Sequence, residues 1–275
     1  MTNLQWDYYI DFCDRFKRKI CEWNEHAKIL MNVQSAAIDF FENAKYELQT
    51  PIVYNTALDE ITKNDDIKLI VIGDNPGKDE QLLQNQKYLV GQAGKLGNNF
   101  FAKNSELQID FRKNVIILNK TPIHSAKTNH LKRFSSFDKT NSALIEDLLK
   151  ETQLWMAKET ALLHKNLLNE SKSKDFPQLW LVGYSELKEK GIFTEYKNAL
   201  KNEYLENGKF EESWENVFVF QHFSMNRFSI DLNNYKKENE NLQLKECLKK
   251  LGKNHKEEIF NWFLKNIRNR LNNKF

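Results

Sequence analysis

Apolar positions along the chain follow two periods, and together they predict helices around a small sheet. Leu4, Tyr8, Phe12, Phe16, Ile20 and Trp23 fall at steps of four or three, which predicts one long helix over residues 4–29. A second helix is expected over 36–48, stopped before Pro51. The run Leu69 to Ile72 is continuous, β-branched and cut off by Gly73-Asp74-Asn75-Pro76-Gly77, as suits a strand buried on both faces. Three more runs of this kind follow at 114–119, 179–183 and 217–220. Between them lie Gly91, Gly94 and Gly97, which suggest a loop entering a helix, a helical stretch at 141–170 with Leu144, Leu148, Leu154, Ala157 and Leu162 near helical spacing, and another helix from about Ser185. Ile259, Phe260, Phe263, Leu264, Ile267 and Leu271 predict a last amphipathic helix.

Strands separated by helices imply an α/β fold, a three-layer α/β/α arrangement with a central, mainly parallel four-stranded sheet. The expected division is a helical extension at 1–50, an α/β core at 51–232 and a second helical extension at 233–275 packed on the same domain. Residues 120–133 contain Pro122, four basic side chains and two histidines, and read as a long, solvated, basic loop.

Composition narrows the partners only a little. Lys+Arg number 41 and Asp+Glu 38, so a net charge of +3 does not by itself point to nucleic acid. Apolar runs of membrane-spanning length are absent from the sequence, and the first residues do not have the basic-then-apolar form of a secretion signal. A monomer in the cytoplasm is expected, with Cys13, Cys21 and Cys247 reduced, no metal and no cofactor.

Candidate chemistry comes from the strand ends. In a parallel sheet the carboxyl ends share one edge, so Asn75 after the first strand, Asn119 at the end of the second and His222 after the fourth can converge. A phosphate loop at Gly73–Lys78 is disfavoured: it is one residue short of G-x-x-x-x-G-K-[ST], has Asp79 where a hydroxyl is required, and loses an amide at Pro76. The dinucleotide pattern G-x-G-x-x-G is also missing.

These segments resemble the uracil-DNA glycosylase superfamily. Gly73-Asp74-Asn75-Pro76-Gly77 is similar to its first motif, Val115 to Asn119 to its base-reading strand, and His222-Phe223-Ser224 to its H-P-S motif, with Phe223 in place of proline. Val90-Gly91-Gln92-Ala93-Gly94-Lys95-Leu96 is similar to V-G-x-A-G-x-L of the branch bearing an iron–sulfur cluster, although the cluster's cysteines have no counterparts here. The resemblance covers residues 65–230.

The resemblance implies a DNA base-excision glycosylase that extrudes a uracil or another deaminated base and hydrolyses its N-glycosidic bond. Asn75 would orient the water and His222 would donate to uracil O2 as negative charge develops. Asn119 would read the N3–H and O4 edge, with Gly73, Asp74 and Gly77 around the base and Gly77 leaving room for a larger one. The stacking residue falls on Leu89 in strict register, with Tyr88 one place off. Asp74 and Glu80 would assist or merely cap a helix. DNA contacts would come from Lys120, Lys127, Lys132, Arg133, Ser224, Asn226 and Arg227, with Met225 as a wedge. The alternative expectation is a divergent, non-catalytic protein of this fold that binds nucleic acid.

Overall fold

A computed structural model describes residues 1–171, 173 and 176–272, with side chains through Phe260. The continuous apolar runs form β1 (Leu69–Gly73), β2 (Val115–Asn119), β3 (Gln178–Val182) and, after a short antiparallel hairpin of β4 (Leu205–Glu206) and β5 (Lys209–Phe210), β6 (Val217–Phe220). β1, β2, β3 and β6 make an all-parallel sheet in the order β2-β1-β3-β6, with Gly73 opposite Asn119 and Val182 opposite Phe220. Around it lie α1 (Asn3–Trp23), α2 (Ala27–Phe41), α3 (Gln92–Lys103), α4 (Phe134–Phe137), α5 (Ser142–Asn169), α6 (Thr194–Glu203), α7 (Arg227–Glu238) and α8 (Leu244–Asn272).

Strand alternation divides the core in two. Ile70, Ile72, Ile116, Leu118, Leu179, Leu181, Val217 and Val219 point to the face covered by α1, α2, α5 and α6. Leu69, Val71, Val115, Ile117, Trp180, Val182, Phe218 and Phe220 point to the face covered by α3, α7 and the first half of α8. The expected three-layer α/β/α fold is therefore present, and the amino-terminal helices supply part of one layer.

Both sheet edges are covered, as unpaired edge groups require. Along β2 the segment 51–55 lies across the edge: Asn55 donates to the Ile117 carbonyl at 2.8 Å, and Val53 N–H donates to the Pro122 carbonyl at 2.9 Å. Along β6 the cover is α8. A Cβ at Gly252 would stand 2.7 Å from Phe220 Cζ and 2.8 Å from Phe218 Cβ, so only glycine permits this approach.

The helical ends differ from expectation in their bounds. A Thr2–Gln5 capping box starts α1. The long first helix is broken by a 3-10 turn at Asn24–His26, and α2 follows at Ala27–Phe41 instead of 36–48. After Phe41 the buried Glu42 carboxylate meets Lys78 at 2.5 Å, which holds the chain extended. Steps of four overshoot the helical turn by about 40° each, so the apolar stripe drifts; Gln5, Tyr9 and Cys13 are buried while Leu4 is 41% exposed. In α5, Leu154 and Leu162 likewise face outward, and Ile145, Leu149 and Met156 are buried. The stripe expected at Phe263, Leu264, Ile267 and Leu271 lies outside the described side chains. No helix among the described residues is long and apolar enough to cross a membrane.

Candidate active site

Since Gly73 pairs with Asn119, the residues that follow them, Asp74 and Lys120, emerge side by side at the carboxyl edge. Lys120 is fully buried, and its Nζ donates to Asp74 Oδ1 at 2.6 Å, Val182 O at 2.6 Å and Gly73 O at 3.2 Å. The expected phosphate contact at Lys120 is thus corrected: every ammonium donor is used inside the sheet edge. Burial pulls its pKa down and the neighbouring Asp74 carboxylate pulls it up. Asp74 also rests against Gly183, whose φ of +102° and lack of a Cβ make room for the carboxylate.

Asn75 is held by its neighbours. Its Nδ2 donates to the carbonyls of Pro76 and Ser125, both at 3.0 Å, and those acceptors fix the amide orientation. Its Oδ1 therefore turns toward Thr128, whose hydroxyl lies 3.0 Å from it and 3.2 Å from Asp74 Oδ2. One hydroxyl proton serves two acceptors. The acceptor left without it is available to a water, so Asp74 joins Asn75 in any water-positioning role.

Asn119 sits directly across from Gly73, and a Cβ there would fall 2.4 Å from Asn119 Oδ1. Any side chain at position 73 would displace the amide. Asn119 is buried, yet its Nδ2 has no hydrogen-bond partner among the described residues. A buried donor left unpaired costs about 1–3 kcal/mol, so each such group calls for an explanation; Gln34, Glu42, Thr160 and Tyr196 also carry one, and Asn119 is the one that ends a strand of the central sheet.

His222 follows β6 on the same edge. The Ser224 backbone N–H donates to its Nδ1 at 3.1 Å, with Ser224 Oγ at 2.8 Å. Nδ1 is therefore the unprotonated nitrogen of the neutral ring, and Nε2–H is its donor. Burial lowers the proton affinity of the imidazole; Asp74 opposes that effect, and Lys120 and Arg227 reinforce it. The charges of three separate strand ends thus act on one ring, which brings Asp74, Lys120 and His222 into one electrostatic neighbourhood.

Other expected residues are placed differently. Tyr88 is fully buried, its hydroxyl donates to the Val53 carbonyl at 2.6 Å, and it packs with Leu89 in the core beneath the α3 face. Neither residue offers a ring or a side-chain surface to a base, because hydrophobic burial claims both. Glu80 does not cap a helix of the site. It accepts the Gly77 N–H at 2.5 Å and is also bonded by the Leu89 and Val90 amides, tying the first turn to the next loop. Burial pushes its pKa up to about 7 against those three amides. A Cβ at Gly77 would meet nothing nearer than Glu80 Oε2 at 3.6 Å, so the space expected there exists.

The segment 120–133 is mostly folded inward and is not a solvated loop. His124 is buried between the Pro76 carbonyl and the Tyr46 hydroxyl, and His130 stacks on Phe41 with centroids 4.3 Å apart. Burial pulls the His124 pKa down to about 4. Lys127 remains exposed beside Glu42, Lys132 pairs with Glu186 at 3.1 Å, and Arg133 lies near Ser136. On the opposite side of the edge Met225, Asn226 and Arg227 are exposed; Met225 and Asn226 have φ of +51° and +55°, which pushes this tip outward.

Two cavities, of about 420 Å³ and about 240 Å³, lie elsewhere: the first between α3 and α7, the second near the amino ends of β3 and β6. Asn75, Asn119 and His222 line neither; Asn119 is buried, and Asn75 and His222 are partly exposed at the carboxyl edge. Comparison with protein-family models, curated proteins and solved structures found no match to this chain.

Proposed function

We propose that the chain is a DNA glycosylase that hydrolyses the bond between deoxyribose and a deaminated base, chiefly uracil. The observation that carries this reading is the buried, partnerless Asn119 Nδ2 at a strand end, with the Nε2–H of neutral His222 on the same edge. Uracil offers an acceptor to each, O4 to Asn119 and O2 to His222, while Asn119 Oδ1 suits N3–H. Cytosine presents N3 as an acceptor and a 4-amino donor, the reverse pattern.

In the reaction the C1′–N1 bond breaks with its electron pair leaving on the base, and a neutral donor at O2 stabilises that anion as it forms. Asp74 Oδ2 and Asn75 Oδ1, sharing the Thr128 proton, hold the water whose oxygen adds to C1′; the proton that water loses passes to the Asp74 carboxylate and from there neutralises the departed base anion. The Asp74 carboxylate adds charge compensation for the cationic sugar, moderated by its pair with Lys120. Release of free base and an abasic site from single- or double-stranded uracil DNA, with protein in excess, is the expected result. No release from uracil, hypoxanthine or xanthine substrates overturns the reading.

Burial of Tyr88 and Phe223 favours a second reading, a protein of this architecture that binds nucleic acid without cutting the glycosidic bond. With no aromatic wall from either ring, a flipped base gains less stacking. Retention of uracil or abasic oligonucleotide without base release would select it.

A further inference from the structure

Neighbouring helices normally bury apolar stripes against each other, and α3 and α7 do so only at depth. Above the floor of Leu96, Phe100 and Leu232, the polar positions around the cleft are Asn99 and Lys103 on α3, Asn104 just after it with its amide bonded to the Phe100 carbonyl, Asn226 at the N-cap of α7, and Ser229, Asn233 and Lys236 on α7. These residues recur at helical spacing on both helices and surround the cavity of about 420 Å³. No carboxylate of the described residues lines it. Lys103 and Lys236 have no ion-pair partner among the described residues, in contrast to Lys78, Lys87, Lys132, Lys165 and Lys253, each held by a glutamate. The side chains of Asn99, Asn226, Ser229 and Asn233 make no hydrogen bond within the described protein either. The cleft therefore presents unengaged donors and acceptors over an apolar floor, with uncompensated positive charge at one end.

That combination fits a phosphodiester chain: amides and a hydroxyl for base edges and sugar oxygens, ammonium groups for phosphates, and apolar carbon for the faces of bases. Direction comes from α7. Asn226, at the exposed tip beside Met225, begins the cleft, and Lys236 lies ten residues on, roughly 15 Å along the helix, about the span of two or three nucleotides. We propose that the α3–α7 cleft holds single-stranded nucleic acid running away from the Met225 tip, with phosphates at Lys103 and Lys236. The direction assigned to the strand rests on the glycosylase reading of the sheet edge; the affinity of the cleft does not.

The test is fluorescence anisotropy of labelled oligothymidylate, with and without one internal deoxyuridine, across a salt series. The double variant K103Q/K236Q is compared with K150Q/K158Q, which removes the same charge from exposed positions of α5 on the other face of the sheet. K103Q/K236Q is expected to weaken binding on the order of tenfold at about 0.1 M salt and to lower the slope of log K against log salt by about 1.4, two single-strand phosphate contacts. The control should change neither. Equal losses in both doubles, an unchanged slope, or no binding by the wild type overturns the proposal. Displacement of the oligonucleotide by an equal concentration of thymidine monophosphate assigns the cleft to free nucleotides and overturns the strand assignment. Strand binding lost in K103Q/K236Q, with no base released by the wild type, upholds the cleft and removes the glycosylase reading.

Discussion

The two halves of the carboxyl edge are built in opposite ways. On the β1–β2 side, Asp74, Asn75 and Lys120 are each fixed by two or more hydrogen bonds, and Lys120 has no exposed surface. On the β6 side, residues 224–227 form a tip with two left-handed non-glycine residues, and Met225 is 68% exposed. Groups meant to hold a reacting atom need rigid support, whereas groups meant to meet a large partner need reach. On the proposed function, the contrast divides stability and recognition between the halves, and substitutions should separate them.

The largest stability effect is expected at Lys120. Lys120→Met strands the Asp74 carboxylate in a buried site, and such a break costs about 3–5 kcal/mol. Urea unfolding measures it; the double variant with Asp74→Asn should recover much of the loss. A Lys120→Met protein as stable as the wild type would remove the tied character of this half.

Next comes the latch at Glu80. Its pKa is raised from 4.5 to about 7, so the folded state favours the proton and this group's contribution is fully present below the unfolded pKa. Stability should therefore fall as pH rises from about 4.5 through 7, by on the order of 3 kcal/mol. Glu80→Gln keeps an acceptor for the Gly77 N–H and should flatten that slope in melts recorded across this window. His124 acts in the other direction: held neutral with a pKa near 4, it removes stability as pH falls below about 6.5. His124→Gln should lessen the acid loss.

A smaller stability effect with a larger functional one is expected at Asn119. Replacement by alanine deletes an unpaired buried donor, so unfolding should shift by no more than about 1 kcal/mol. Base release should drop by about 10² to 10³. Equal activity in single-turnover assays would deprive the orphan amide of its role. Met225→Ala, the smallest change, should move stability by less than about 0.5 kcal/mol, while duplex DNA binding by anisotropy weakens and single-strand binding is spared.

Much of the architecture was legible because strands buried on both faces must be continuously apolar, as Leu69 to Ile72 and Val217 to Phe220 are. The β4–β5 hairpin is missing from the elements expected from the sequence, although Asn207-Gly208, both at positive φ, is its local mark. The burial of Lys120 is not legible in the sequence because a lysine in a basic run resembles a solvated one. Its true setting follows from register: an acid and a base, each one residue past paired strand ends, must meet. The place of Tyr88 is not legible for a different reason, since aromatic character suits stacking on a base and packing in a core equally, and only tertiary placement decides.

The cover that α8 places over β6 also has a consequence in time. Gly252 emerges 252 − 220 = 32 residues after Phe220, so at about 5–20 residues per second the ribosome leaves the β6 edge bare for roughly 2 to 6 s. During that interval Val217-Phe218-Val219-Phe220 presents an open strand rich in aromatic and β-branched side chains, the kind that recruits other chains. Until α8 docks, the nascent chain is therefore open to pairing with other strands along this edge.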